Sequence, residues 1–179
     1  MLMGSIARRY AKALFGLALE QSRVEAWSDA LVALQAAVDA SPELQDILEN
    51  PVYSKEQRRE IVKQLAQVLA LDPHPLSLLL LLADRNRLGY LEGIVRTFRE
   101  LTDSKLGRVR AQVVTAVPLD AAAVKAIAEK LAHATKTTVL VERAVDPSLL
   151  GGVVARVGSL VFDGSVRSQL EALRRELKQ

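Results

Sequence analysis

From Gly4 to about Lys105 the apolar residues recur at three- and four-residue steps, the period of helices that bury one face. Helix punctuation divides this stretch. A first helix is expected from about Ser5 to Gln21, and Ser22 with Glu25 forms a capping-box pattern opening a second. Ser41 then Pro42 reads as an N-cap followed by proline at the first helical position. The chain breaks at Asn50-Pro51, and Ser54 with Gln57 opens the next helix. Asp72 then Pro73 starts a leucine-rich helix that ends near Asn86. A last one carries Leu88, Leu91, Val95, Phe98 and Leu101. The expectation is a compact bundle of six helices with short connections.

At Gly107 the period changes. In "RVRAQVVTAVPL", Val109, Ala111 and Val113 alternate with Arg108, Arg110 and Gln112, as in a half-buried strand. Asp120 caps a helix, "AAAVKAIAEKLAHAT", and "TTVLVERAV" is a second strand. Val153, Ala155 and Val157 alternate with Val154 and Arg156, Gly158-Ser159 makes a tight turn, and "LVF" is a short strand. Asp163-Gly164 then turns the chain and Ser165 caps a final helix to about Lys178. The fold class is therefore α+β, with an N-terminal six-helix bundle over residues 1–105 and a small C-terminal α/β domain over 106–179. The boundary falls between Asp103 and Gly107.

Composition narrows the chemistry. Half the residues are hydrophobic but only 4% are aromatic, so Leu, Ala and Val must fill the core. No cysteine is present, which excludes disulfides, thiolate catalysis and Cys-ligated zinc. Residues 1–105 hold 13 Lys and Arg against 14 Asp and Glu, a net −1. Residues 106–179 hold 11 against 7, a net +4, so the basicity belongs to the C-terminal part and hints at an acidic partner. The arginines ahead of an apolar run at the N-terminus suggest a targeting segment. No small-residue cleavage pattern follows, and the run continues as an amphipathic helix. The greasiest run, Pro75 to Ala83, is far short of the ~20 residues that span a bilayer.

The glycine-rich stretch "DPSLLGGVVARVGSLVFDGSVRSQL" tests as a phosphate loop and fails. Counting G-x-x-x-x-G from Gly151 or Gly152 reaches Arg156's or Val157's register, where no glycine stands, and Gly158 is followed by Ser159 rather than Lys. Neither His74 nor His133 has an acid or nucleophile at motif spacing, and Asp84 with Arg87 reads as a helix-end salt bridge with Asn86 as C-cap. No catalytic residue, cofactor site or metal-ligand cluster emerges.

The first helix is the informative one. At 100° per residue, Arg8, Arg9, Lys12, Gly16 and Glu20 share a polar arc. Ile6, Ala7, Tyr10, Ala11, Ala13, Leu14, Phe15, Leu17 and Ala18 fill roughly 200°, about twice what one core contact needs. Two readings stay open: a central helix buried all round by its own bundle, or an arc partly vacant for a partner. Ala7, Ala11 and Ala18 lie side by side and permit close approach. The leucine-rich helix is also apolar nearly all round, and the pair would form a groove for a helix. The candidate groove residues are Ile6, Ala7, Tyr10, Ala11, Leu14, Phe15, Ala18, Leu78, Leu79 and Leu82. On this reading Ala11→Trp blocks a partner with little loss of folding.

Several motifs together resemble one family. "ARRYAKALF" at Ala7 to Phe15, Asn50-Pro51, "NRLGYL" at Asn86 to Leu91 and above all "DPSLLGGVVARVGSLVFDGSVRSQLEALRREL" are similar, in order and spacing, to the delta subunits of bacterial F-type ATP synthases. These are related to the mitochondrial oligomycin-sensitivity-conferring protein. The length and the lack of a transit-peptide pattern point to the bacterial form. The resemblance implies a non-catalytic stator connector without cofactors. Its helical domain would hold N-terminal helices of the alpha subunits, and its C-terminal domain the C-terminus of the b-subunit stalk. It would lie at the cytoplasmic face of the bacterial inner membrane, meeting the membrane only through the complex. Arg167, Arg174 and Arg175 are the candidate stalk contacts. The alternatives from charge and glycine content are a small basic nucleic-acid binding module, which predicts steeply salt-dependent binding, and a small nucleotide-dependent enzyme.

Overall fold

The computed structural model describes residues 2–147, 149, 151–158, 160–168, 170 and 174. The chain divides into two compact units, Met1–Thr102 and Asp103–Gln179. The first is helical: α1 (Leu2–Glu20), α2 (Val24–Asp39), α3 (Pro42–Glu49), α4 (Lys55–Val68), α5 (Pro73–Asp84), a single 3-10 turn (Leu88–Tyr90) and α6 (Leu91–Lys105), which runs into the second unit.

The starts of these helices follow the sequence in part. Ser41 Oγ accepts from the Leu44 N–H, and Ser54 and Gln57 form the reciprocal capping box. Ser22 does not cap α2, which starts behind Arg23 without a side-chain cap. Instead Ser22 takes a left-handed φ of 55° and closes α1: its N–H bonds to Leu19 O and that of Arg23 to Ala18 O. This double bond is a Schellman ending. Ala70 and Asn86 end α4 and α5 in the same way. Asn86 does more, because its side-chain oxygen accepts from the guanidinium of the buried Arg58. Asp84 does not pair with Arg87; it takes two hydrogen bonds from Arg59, at 2.8 and 2.7 Å.

The core of this unit is aliphatic. Ala11, Leu31, Leu82, Ile94 and Phe98 are wholly buried, and Phe15 meets Phe98 edge-on with ring centres 5.6 Å apart. α1 approaches α6 so closely that a side-chain carbon at Gly93 would lie 3.1 Å from Ala7 Cβ. Asp72, just before α5, leaves its own helix uncapped. Its carboxylate accepts from Trp27 Nε1 at 2.5 Å and Arg23 Nε at 3.1 Å, while His74 stacks on the indole.

The second unit is a four-stranded sheet with one long helix. β1 (Arg108–Thr115), α7 (Ala121–Thr135), β2 (Thr138–Val145), β3 (Gly152–Val157) and β4 (Leu160–Ser165) give the order β2-β1-β3-β4. β1 and β2 are parallel through α7, while β1–β3 and β3–β4 are antiparallel. Asp120 caps α7 at 2.6 Å. Ala111, Val113, Val139, Ala155 and Val157 are buried in one cluster with Leu131 of α7, so alternate positions of the strands face the helix. The buried Asp103, in the last turn of α6, accepts from Arg108 Nε at 2.8 Å and Arg110 Nε at 2.5 Å. An acid there opposes the helix dipole, and two guanidiniums offset it.

The chain does not turn at Asp163-Gly164. β4 runs through both, with Val154 opposite Asp163 and Val153 opposite Gly164. The Asp163 carboxylate instead turns back on the following residues. It accepts from Ser168 Oγ at 2.7 Å and the Ser165 N–H at 2.9 Å, which hold its pKa below the ordinary aspartate value, Ser168 contributing most. Ser165 Oγ accepts from the Ser168 N–H, as expected of a cap. Most of the final helix expected to Lys178 lies outside the described residues, though Val166–Ser168 are helical. Gly152 explains the glycine pair. At φ 85°, a side-chain carbon there would sit 2.3 Å from Gly164 O and 2.8 Å from Ser165 Cα. The Gly151 carbonyl accepts from the Val166 N–H at 3.1 Å.

Gly152→Ala is therefore expected to destabilise the second unit by more than about 1–3 kcal/mol, the strain of its backbone conformation alone. Gly158→Ala, at φ 58° with open space around it, should cost only about 1–2 kcal/mol. Urea unfolding followed by far-UV circular dichroism compares the two. A second expectation concerns Asp72, whose pKa is lowered chiefly by the Trp27 indole N–H, then by Arg23 and His74. A depressed folded pKa means that its stabilising effect is present above the ordinary aspartate value and lost as pH falls through the folded one. The stability advantage of the wild type over Asp72→Asn should thus shrink on acidification below that ordinary value. Trp27, the single tryptophan, reports it by fluorescence.

Candidate partner-binding surfaces

At 100° per residue, α1 carries two parallel apolar stripes one residue apart. Ala7, Ala11, Leu14 and Ala18 form the inner stripe, all buried in the core of the helical unit. Ile6, Tyr10, Ala13 and Leu17 form the second. Ile6 and Tyr10 are half-buried, and Ala13 and Leu17 are exposed, Leu17 by 39%. Phe15 lies on the opposite flank, packed on Phe98. On α5, Leu79 and Leu82 point into the core, Leu78 is half-buried and Leu81 is 42% exposed. Of the ten groove candidates, six are therefore turned inward: Ala7, Ala11, Leu14, Ala18, Leu79 and Leu82. Ile6, Tyr10, Phe15 and Leu78 keep part of their surface.

Two contacts set α1 against α5. Arg23, just past the end of α1, bonds to Asp72, just before the start of α5. Arg87, just past the end of α5, donates from Nη1 to Tyr10 Oη at 2.8 Å and lies 6.0 Å from the ring centre. The helices are thus antiparallel, tied at both ends of α5 and at the C-terminal end and the middle of α1. On the outer stripe of α1 the exposed apolar side chains are Ala13 and Leu17, and on α5 the exposed leucine is Leu81; Leu19, 40% exposed, lies on another face of α1. Leu81 was missed from the sequence because the leucine run gives every direction of α5 the same character. The four-residue succession Ile6, Tyr10, then Ala13 and Leu17 was the available signal for the outer stripe.

In the second unit, Leu160, Val161 and Phe162 of the edge strand β4 are 55%, 55% and 38% exposed. Arg167 and Arg174 are exposed as well, while Arg175 lies outside the described residues. Among the described residues there is no group of three His, Asp or Glu suited to a metal ion, and no helix long and apolar enough to cross a membrane.

Comparison with known proteins decides the family. Residues 6–177 match the model of the ATP synthase delta (OSCP) subunit. The chain belongs to the ATP synthase delta (OSCP) subunit family. ATP synthase subunit delta of Anaeromyxobacter sp. (strain K) is 66% identical over 179 residues, all of both chains. That of Myxococcus xanthus (strain DK1622) is 47% identical over 181 residues, again all of both. In fold, the chain is similar to one in the Toxoplasma gondii mitochondrial ATP synthase hexamer, with a TM-score of 0.75, 23% identity and 97% of each chain covered. As a member of the delta (OSCP) family the chain is a structural subunit and a stator component of the peripheral stalk, not a catalytic one. The nucleic-acid alternative finds no support in these matches.

Because Ala11 is 0% exposed, Ala11→Trp is now expected to disrupt the helical unit. Overpacking of this kind costs about 1–3 kcal/mol or more. Thermal unfolding with near-UV circular dichroism distinguishes this from a folded protein that has only lost a partner.

Proposed function

We propose that the helical unit works as a six-helix bundle whose α1–α5 groove holds an N-terminal helix of an alpha subunit, while the C-terminal unit holds the C-terminus of the b-subunit stalk. Joined in this way, the alpha/beta head resists the torque of the rotor during proton-driven ATP synthesis. The place of work is the cytoplasmic face of the bacterial inner membrane, with the membrane met only through the complex. The observation that carries the reading is the outer stripe of α1. Its side chains are apolar and wholly or partly accessible, as is Leu81 of α5, on a helix pair whose inner faces are already used by the core. The exposed apolar edge of β4, with the exposed Arg167 and Arg174 in the chain that follows it, supports a separate contact for a charged helical stalk. A stator joint needs a large contact and no chemistry, and apolar burial supplies it at roughly 25 cal/mol per Å² before the costs of association.

Paired variants test the assignment. Leu17→Asp with Leu81→Asp should weaken binding of an alpha N-terminal peptide to the full chain by about tenfold or more. Thermal stability and b-subunit binding should stay unchanged. Arg167→Glu with Arg174→Glu should do the reverse. Calorimetry reads both, and unchanged peptide affinity in the leucine variant would refute the groove.

A further inference from the structure

The cations of the helical unit differ in their partners. Arg23, Arg59, Lys63 and Arg96 each reach a carboxylate. Arg8, Arg9, Lys12, Lys55 and Arg85 are exposed and make no ion pair among the described residues. Arg8 and Arg9 sit in the N-terminal half of α1, which has no acid in its first turn to offset them. By helical geometry Arg9 borders the outer stripe of α1, and Arg85 follows the direction of Leu78 and Leu81 on α5. The antiparallel tie brings these two to one end of the groove, because Arg87, two residues beyond Arg85, bonds Tyr10, one residue beyond Arg9. The far end carries the exposed Glu20.

We infer that the groove selects its occupant by charge as well as by apolar fit. It takes an amphipathic helix whose apolar stripe seats on Tyr10, Ala13, Leu17 and Leu81, and whose flanking side chains at the Arg9–Arg85 end are acidic. This rests on the groove reading above and adds to it the recognition chemistry and the residues that set it. Opposite charge at a rim acts on encounter and on rejection of wrong partners, and it weakens with salt.

The test uses the full chain and three helical peptides with one apolar stripe, flanked by Glu, Gln or Lys. Fluorescence anisotropy of labelled peptides is read at about 50 and about 300 mM salt. The Glu peptide should bind about tenfold tighter than the Lys peptide, with the gap narrowing at high salt. Arg9→Glu with Arg85→Glu should reverse the order, and Arg9→Gln with Arg85→Gln should remove it; both pairs lie on the surface. Equal affinity of the three peptides for the wild type overturns charge selection and leaves the groove standing. Binding by none of them overturns the groove and charge selection together.

Discussion

Close packing of the alanine stripe of α1 is the contact on which the helical unit depends. Ala7, Ala11 and Ala18 are small, so neighbouring backbones come near, and Gly93 on α6 completes the approach at Ala7. Because the inner stripe is narrow, the larger side chains beside it are held at the margins rather than absorbed. Tyr10 and Leu17 stay accessible for that reason. One constraint thus sets both the stability of the unit and the availability of its surface. A leucine in place of each alanine would hold α1 farther from α6 and leave a different groove, if one at all.

The second unit meets an analogous constraint with backbone rather than side chains. Gly152 has no side-chain carbon, and the end of β4 closes onto it. The glycine-rich stretch that resembled a phosphate loop is a point of close chain approach. Its acid, Asp163, is engaged by Ser165 and Ser168 and serves the local turn. Its exposed apolar part is the edge strand β4.

Much of this was legible in the residues. The proline and serine starts of α3 and α4, the switch to period two at Gly107, and the cap at Asp120 all act over three or four residues and are readable locally. Non-local events were not. Ser22 satisfies a capping-box pattern, yet the structure uses it to end α1, because the competing Schellman bonds to Leu19 and Ala18 fix its φ. Asp84 and Arg87 are near in sequence, yet they pair with Arg59 and Tyr10, brought close only by packing. The α1 stripes differ by one residue in phase, and periodicity is blind to which of two adjacent apolar stripes faces inward. Side-chain size was the remaining clue, since three alanines in line favour the crowded side.

The two ties between α1 and α5 carry a kinetic consequence. Arg23–Asp72 at one end of α5 and Arg87–Tyr10 at the other hold α1 and α5, the walls of the proposed groove, at a fixed spacing. A receptor already in its bound form loses little conformational freedom on capture, and rigidity of this kind lengthens residence more than it speeds arrival. For a joint that must stay closed through many cycles of load, a long lifetime matters more than fast assembly. Of the two ties, Arg23–Asp72 lies outside the proposed contact stripe, while Arg87–Tyr10 fixes a side chain that belongs to it.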